Sequence, residues 1–219
     1  MKQNWFVIFM GVLFLGSIWG ILEATMGNVL HWIGLHPYTG LIMTSIGTGL
    51  MSFARRLYRV RGIGIFMGFI AAGFKAIDFL IPGSNVLRPI VAIILTALAF
   101  ESIMAVADKV KQMHVQLNKA LAGFALGYVS LAAFAYFTAY ALKFNYWLKM
   151  GALGILKYLG TEGWKFGIGA MLFMLLGYNF VPITDKLLKI RLDKIVSTNP
   201  FYAASGTFTI AALIFVIVV

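Results

Sequence analysis

The sequence predicts an all-α membrane protein, a bundle of six or seven transmembrane helices with a cytoplasmic N-terminus. Seven stretches are apolar and approach the roughly 20 residues that a spanning helix needs. The chain is 61% hydrophobic and 11% charged, whereas a soluble domain carries about 25% charged residues. We therefore predict one transmembrane domain over residues 1–219. Its spans are expected at about 4–23, 38–54, 62–81, 87–107, 118–142, 162–181 and 203–219.

The basic residues predict the direction of these spans. Of the 18 Lys and Arg residues, 12 precede the first span or follow the second, fourth and sixth spans. Because Lys and Arg in short loops stay in the cytoplasm, the N-terminus is predicted to be cytoplasmic. The chain is expected to be a multi-pass protein of the plasma membrane. The last stretch is short and follows Asn199-Pro200, so a full seventh span and a lateral helix both stay open. The twelve basic residues that predict this direction are Lys2, Arg55, Arg56, Arg59, Arg61, Lys109, Lys111, Lys119, Lys186, Lys189, Arg191 and Lys194.

Composition and absent motifs exclude several function classes. The net charge of +11 lies in short loops beside apolar spans, which indicates contact with anionic lipid rather than with nucleic acid. The chain has no cysteine, so disulfides and thiol chemistry are excluded. It has no HExxH motif and no phosphate-binding loop ending in Lys-Ser/Thr. We therefore expect no enzyme activity, no cofactor and no metal.

Charged residues gather at one end of the predicted bundle, the outer end. Charges near hydrocarbon are costly and need a partner or a role. We expect this group to bind a small solute from outside, between the third to sixth spans, with segments 24–37 and 143–161 as the cover. The predicted solute-binding residues are Glu23, His31, Trp32, Lys75, Asp78, Arg88, Glu162 and Lys165.

Two of these predictions have structural alternatives. Lys75 and Asp78 share one helix face and could simply neutralise each other, and the whole group could be an ion-pair belt at headgroup level. His31 and His36 come from one segment, five residues apart, which argues against their holding a haem or metal between spans. We expect them to cover the cavity instead.

Glu101 lies deep in the inner half of the fourth span. One interpretation is structural pairing with a neighbouring helix, and the other is coupling to protons or to a partner. The second would make the chain a membrane enzyme or a proton-coupled carrier.

The first span carries Gly16, Gly20 and Ala24 at intervals of four residues. This spacing places them on one helix face, where another helix can approach closely. The face is either internal packing or a docking surface for another membrane protein, and the first span is the best candidate for docking.

The layout resembles the substrate-binding S component of energy-coupling factor (ECF) transporters. The segments that carry the resemblance are the small-residue face of the first span, the long segment 24–37, and GIGIFMGFIAAGFKAIDF followed by NVLRPIVAIILTALAFES. The resemblance implies vitamin-like solute binding, docking through Gly16, Gly20 and Ala24, and two partners, a transmembrane coupling subunit and cytoplasmic ATPases. The alternative is a structural or anchor subunit with no ligand of its own.

Overall fold

The computed structural model describes residues 5–35, 38–80, 86–110, 114–183, 195 and 198–218. Within these ranges the chain forms α-helices, short 3-10 turns and no strand, so the predicted all-α fold is confirmed. The 3-10 segment Ile77–Leu80 directly extends α3. The helices are α1 (Trp5–Trp32), α2 (Thr39–Tyr58), α3 (Ile63–Ala76), α4 (Leu87–Ala107), α5 (Val115–Tyr140), α6 (Asn145–Ile183) and α7 (Asn199–Val218).

Six of the described helices are long and apolar enough to cross a membrane: α1, α3 with its 3-10 extension, α4, α5, α6 and α7. Helix α2 also has 20 residues, enough to span about 30 Å. It is less apolar because it carries several Ser and Thr residues together with Arg55 and Arg56. Helices α1, α4 and α6 pack around it, which shields this polar face. The direction of insertion stays a prediction.

Segment 24–37, predicted to fold back over the bundle, instead continues α1 as far as Trp32. The helix runs through Gly27 without a break and ends just before Gly34, which adopts a left-handed φ of 79°. The Leu35 N–H then donates to the Leu30 carbonyl at 2.8 Å, as in a Schellman helix end. The described part of this segment is therefore a continuation of α1 and not a separate fold-back.

Segment 143–161, the second predicted outer loop, is also mainly helical. Helix α6 begins at Asn145 and runs to Ile183, with one break at Gly151, where φ is 63° and ψ is 178°. Glycine allows this conformation without the clash of a side chain. Trp147 and Ile155 on either side of the break pack with Ala135 on α5, so this segment belongs to the bundle wall.

The small-residue face of α1 packs against other helices of the same chain. A Cβ atom at Gly20 would lie 2.6 Å from Cβ of Phe74, and one at Gly16 would lie 2.9 Å from Cβ of Ile70. Ala24 is buried in a cluster with Phe74 and Ala212. Helix α3 therefore occupies the face that the sequence offers for docking, in agreement with the internal-packing alternative.

An ion-pair network joins α2, α4 and the start of α3. Arg55 donates to Glu101 at 2.7 Å and to Asp108 at 2.7 Å. Glu101 also accepts the backbone N–H groups of Gly62 and Gly64, both at 2.9 Å. Glu101 thus caps the first turn of α3. Its contacts with Arg55 and the α3 backbone are those expected from the structural-pairing interpretation. We call this end of the bundle the ion-paired end.

Candidate functional site

A cavity of about 610 Å³ opens at the opposite end of the bundle, which we call the cavity end. It lies where the second half of α1 and the end of α3 meet the first turns of α2 and α4. The later part of α5 and the first part of α6 form the remaining wall. Its volume falls within the range of about 300–1,000 Å³ that is typical of small-molecule sites.

Three buried charged side chains line one wall of the cavity. Lys75, in the last turn of α3, forms an ion pair of 2.6 Å with Asp78 and donates to the backbone carbonyl of Glu23 at 3.3 Å. The Glu23 carboxylate accepts the indole N–H of Trp19 at 3.1 Å. Because Glu23, Lys75 and Asp78 are only 7–8% exposed, this wall is a fixed polar surface in apolar surroundings.

Arg88 lines the cavity from the first turn of α4. Pro89 follows it, at a position where a missing backbone N–H costs no helical hydrogen bond. The guanidinium lies 4.5 Å from the ring centroid of Phe144. Within the described ranges no carboxylate lies within 4.0 Å of the Arg88 guanidinium, so its charge is available to an anionic group in the cavity.

Aromatic side chains form the apolar walls. Trp147 meets Phe134 edge-on at 6.4 Å between ring centroids and Tyr158 edge-on at 5.1 Å. Trp19 and Phe166 line other parts of the same cavity. Interlocked rings lose little freedom when a ligand binds, so these walls suit the apolar body of a solute.

Ser130 on α5 adds a polar atom to the cavity wall. The residue is 4% exposed, and its hydroxyl has no hydrogen-bond partner in the described part of the protein. A buried polar group without a partner is costly. A solute atom in the adjoining cavity would remove this cost by accepting or donating one hydrogen bond.

The structure thus brings Glu23, Lys75, Asp78 and Arg88 to one cavity and places other predicted site residues elsewhere. Glu162 and Lys165 form an ion pair of 2.8 Å with each other, about one third exposed, and neither lines the cavity. Trp32 is 85% exposed at the end of α1. It contributes nothing to the described walls.

The two histidines of this region contribute no described contact. His31 lies in α1, but its side chain falls outside the described part of the structure, and so does all of His36. Among the described residues no group of three or more His, Asp or Glu side chains is arranged to hold a metal ion.

Several cavity residues were not singled out from the sequence as binding residues. They include Trp19, Thr44, Thr96, Ser130, Phe134 and Phe166. Thr96 and Ser130 interrupt apolar spans, and such isolated hydroxyls were the available signal. The aromatic residues gave no comparable signal, because aromatic side chains are common throughout this chain and suit lipid contact equally well.

Comparison with known proteins finds no family model, no curated protein and no solved structure that matches this chain. Its function therefore has to be inferred from its own residues.

Proposed function

We propose that the chain is a multi-pass plasma-membrane subunit that binds a small solute in the cavity lined by helices α1 to α6. The observation that carries this proposal is the cavity of about 610 Å³ lined by Glu23, Lys75, Asp78 and Arg88. Charged side chains that face a cavity among spanning helices are a functional-site hypothesis by default. Six helices long and apolar enough to cross a membrane support the membrane setting.

The cavity chemistry favours a solute with an anionic group and an apolar, preferably planar, body. Lys75 already has Asp78 as a partner, whereas Arg88 has no carboxylate partner among the described residues. Arginine donates a planar pair of N–H groups that matches a carboxylate or phosphate. The aromatic corner of Phe134, Trp147 and Tyr158 would hold the body. A vitamin-like compound meets both requirements.

The resemblance to ECF S components supports a role in uptake. In that mechanism this chain supplies recognition, while a transmembrane coupling subunit and cytoplasmic ATPases supply transport and energy. The coupling subunit would have to contact a face other than Gly16, Gly20 and Ala24, because α3 already packs there. The resemblance supports the two proposed partners, whereas the cavity supports the proposed solute binding.

The test is native mass spectrometry of the full chain, purified in mild detergent from its own cells. We expect a co-purifying small molecule. Arg88→Gln should weaken its retention roughly tenfold or more, because a hydrogen bond to a charged group contributes about 1.5–3 kcal/mol. Lys157→Gln is the matched control, since Lys157 is exposed and does not line the cavity.

A second variant tests the cavity without changing charge. Ala92 lines the cavity, and Ala92→Trp should block part of it and weaken retention while the chain stays folded. If the unmodified chain carries stoichiometric protein partners and no small molecule, the anchor-subunit alternative replaces this proposal. Retention of the molecule by both variants would also contradict it.

A further inference from the structure

The ion-paired end of the bundle holds a second, smaller concavity of about 250 Å³. Five basic side chains line it together with a single carboxylate, that of Asp108. The basic residues are Arg55, Arg56, Arg59, Arg61 and Lys119. A pocket with this excess of positive charge concentrates anions.

Three of the five cations of this pocket are already partnered. Arg55 pairs with Glu101 and Asp108 at 2.7 Å each, and Lys119 lies 3.4 Å from Asp108. Arg56 donates to the Tyr178 hydroxyl at 2.8 Å and lies 4.6 Å from the centroid of that ring. These contacts fix the floor of the pocket and neutralise part of its charge.

Arg59 and Arg61 differ from the floor residues because both are exposed. Neither has a carboxylate within 4.0 Å in the part of the chain that the structure describes. They sit in a shaped turn, in which Arg59 has a left-handed φ of 55° and Gly62 a φ of 83°. Glu101 holds this turn by accepting the Gly62 N–H. The guanidinium groups of Arg59 and Arg61 are therefore carried on a pre-organised support.

We propose that this pocket binds the phosphate of an anionic phospholipid headgroup. Arginine side chains match the geometry of phosphate oxygens and donate in pairs. The pocket lies at the ends of helices that can span a membrane, the level at which headgroup phosphates lie, and basic pockets between such helices bind anionic headgroups. Arg59 and Arg61 hold the phosphate, while Arg56 closes the pocket from the side of Tyr178.

The experiment titrates the full chain, in zwitterionic detergent, with short-chain phosphatidylglycerol and follows binding by native mass spectrometry. Short-chain phosphatidylcholine, which has the same phosphate but no net charge, is the lipid control. We expect the Arg59→Gln/Arg61→Gln double variant to bind phosphatidylglycerol roughly 30-fold more weakly, since two juxtamembrane cations are lost.

The matched control is Lys149→Gln/Lys157→Gln. It removes the same charge from exposed positions of α6 that line neither pocket, and it should bind phosphatidylglycerol as the unmodified chain does. Thermal unfolding of both double variants in the absence of lipid checks that they fold. Competition of millimolar inorganic phosphate with phosphatidylglycerol would support the phosphate site. It would also show that free phosphate is sufficient to occupy it.

Two results would overturn the proposal. One is equal phosphatidylglycerol affinity in the Arg59→Gln/Arg61→Gln variant and the Lys149→Gln/Lys157→Gln control. The other is binding of phosphatidylcholine as tight as that of phosphatidylglycerol. If the chain binds neither lipid but binds an acidic peptide through the same arginines, the pocket is a protein contact instead.

Discussion

The two ends of the bundle use buried charge in different ways. At the ion-paired end Arg55 donates to both Glu101 and Asp108, and Glu101 also accepts two backbone N–H groups. At the cavity end Lys75 and Asp78 also pair, but they border an open volume. Arg88 lines the same volume and has no carboxylate partner among the described residues.

This difference separates charges that hold helices together from charges that can receive a ligand. A buried charge whose hydrogen bonds are all made within the protein contributes to a specific arrangement of helices. A charge that faces a cavity keeps bonding capacity for something else. The comparison predicts that equivalent substitutions at the two ends have unequal effects on folding and on solute binding.

The largest effect is expected from Arg55→Met at the ion-paired end. Arg55 is 9% exposed, and its loss leaves Glu101 and Asp108 without their shared partner. Removing one member of a buried ion pair costs about 3–5 kcal/mol. The free energy of unfolding, measured by titrating detergent micelles with dodecyl sulfate, should fall by that amount.

Lys75→Met is the counterpart of that variant at the cavity end. Water in the cavity can solvate the remaining Asp78 carboxylate, so we expect less than half of the loss caused by Arg55→Met. Equal losses from the two variants would break the comparison.

The next largest effect on the free energy of unfolding is expected where glycine lets two helices pack closely. Near the ion-paired end, Gly177 on α6 lies against the backbone of Gly49 on α2, and a Cβ at Gly177 would collide with the Gly49 carbonyl oxygen. Gly177→Ala should therefore cost about 1–3 kcal/mol of unfolding free energy. At the cavity end a Cβ at Gly40 would meet nothing closer than 3.9 Å, so Gly40→Ala should be close to neutral. A similar cost for both would show that α2 and α6 are equally close at both ends.

Two serines sharpen the comparison further. The Ser52 hydroxyl donates to the Met174 carbonyl at 2.9 Å in buried surroundings, so Ser52→Ala should cost about 1 kcal/mol. The Ser130 hydroxyl has no described partner, and Ser130→Ala should leave stability unchanged or raise it slightly while it weakens retention of the solute. A loss of stability with Ser130→Ala that matches that of Ser52→Ala would argue that the Ser130 hydroxyl is bonded.

The smallest effect concerns pH at the ion-paired end. Burial raises the pKa of Asp108, but the hydrogen bond from Arg55 and the charges of Lys119 and Arg55 outweigh it, so the pKa lies below its usual value of 3.8. A carboxyl whose pKa is lowered by folding stabilises the protein above its unfolded pKa, and this contribution disappears as pH falls through the folded value. Unfolding free energy should therefore decline below pH 3.8. Asp108→Asn should remove part of that decline, and an unchanged acid profile in this variant would contradict the assignment.

Hydropathy was sufficient to predict the seven helices that the structure describes. Each of the seven predicted spans falls largely within a helix, and even α2, the least apolar, was included. The reason is physical: lipid forces each backbone polar group to bond within its own segment, so long apolar stretches become helices. The two outer segments were predicted less well, because apolar residues continue through both: α1 extends to Trp32, and α6 already begins at Asn145.

The candidate site was predicted only in part. Glu23, Lys75, Asp78 and Arg88 gather as expected because they lie at helix ends that topology brings together. Glu162 and Lys165 instead form an ion pair with each other, about one third exposed, and line none of the described cavity. The sequence of a helix does not show which neighbour packs against each of its faces. The small-residue face of α1 therefore could not indicate whether its neighbour was α3 or another protein.

Helix α7 gives the bundle a modular design. It packs chiefly against α1, through contacts such as the hydrogen bond of 3.0 Å between Ser17 and Thr209. None of the described cavity-lining residues belongs to it. The described walls of the cavity are thus formed by α1 to α6, and α7 lies outside them. We therefore expect that the last helix can be expressed as a separate polypeptide, or exchanged between proteins, without changing the residues that line the cavity.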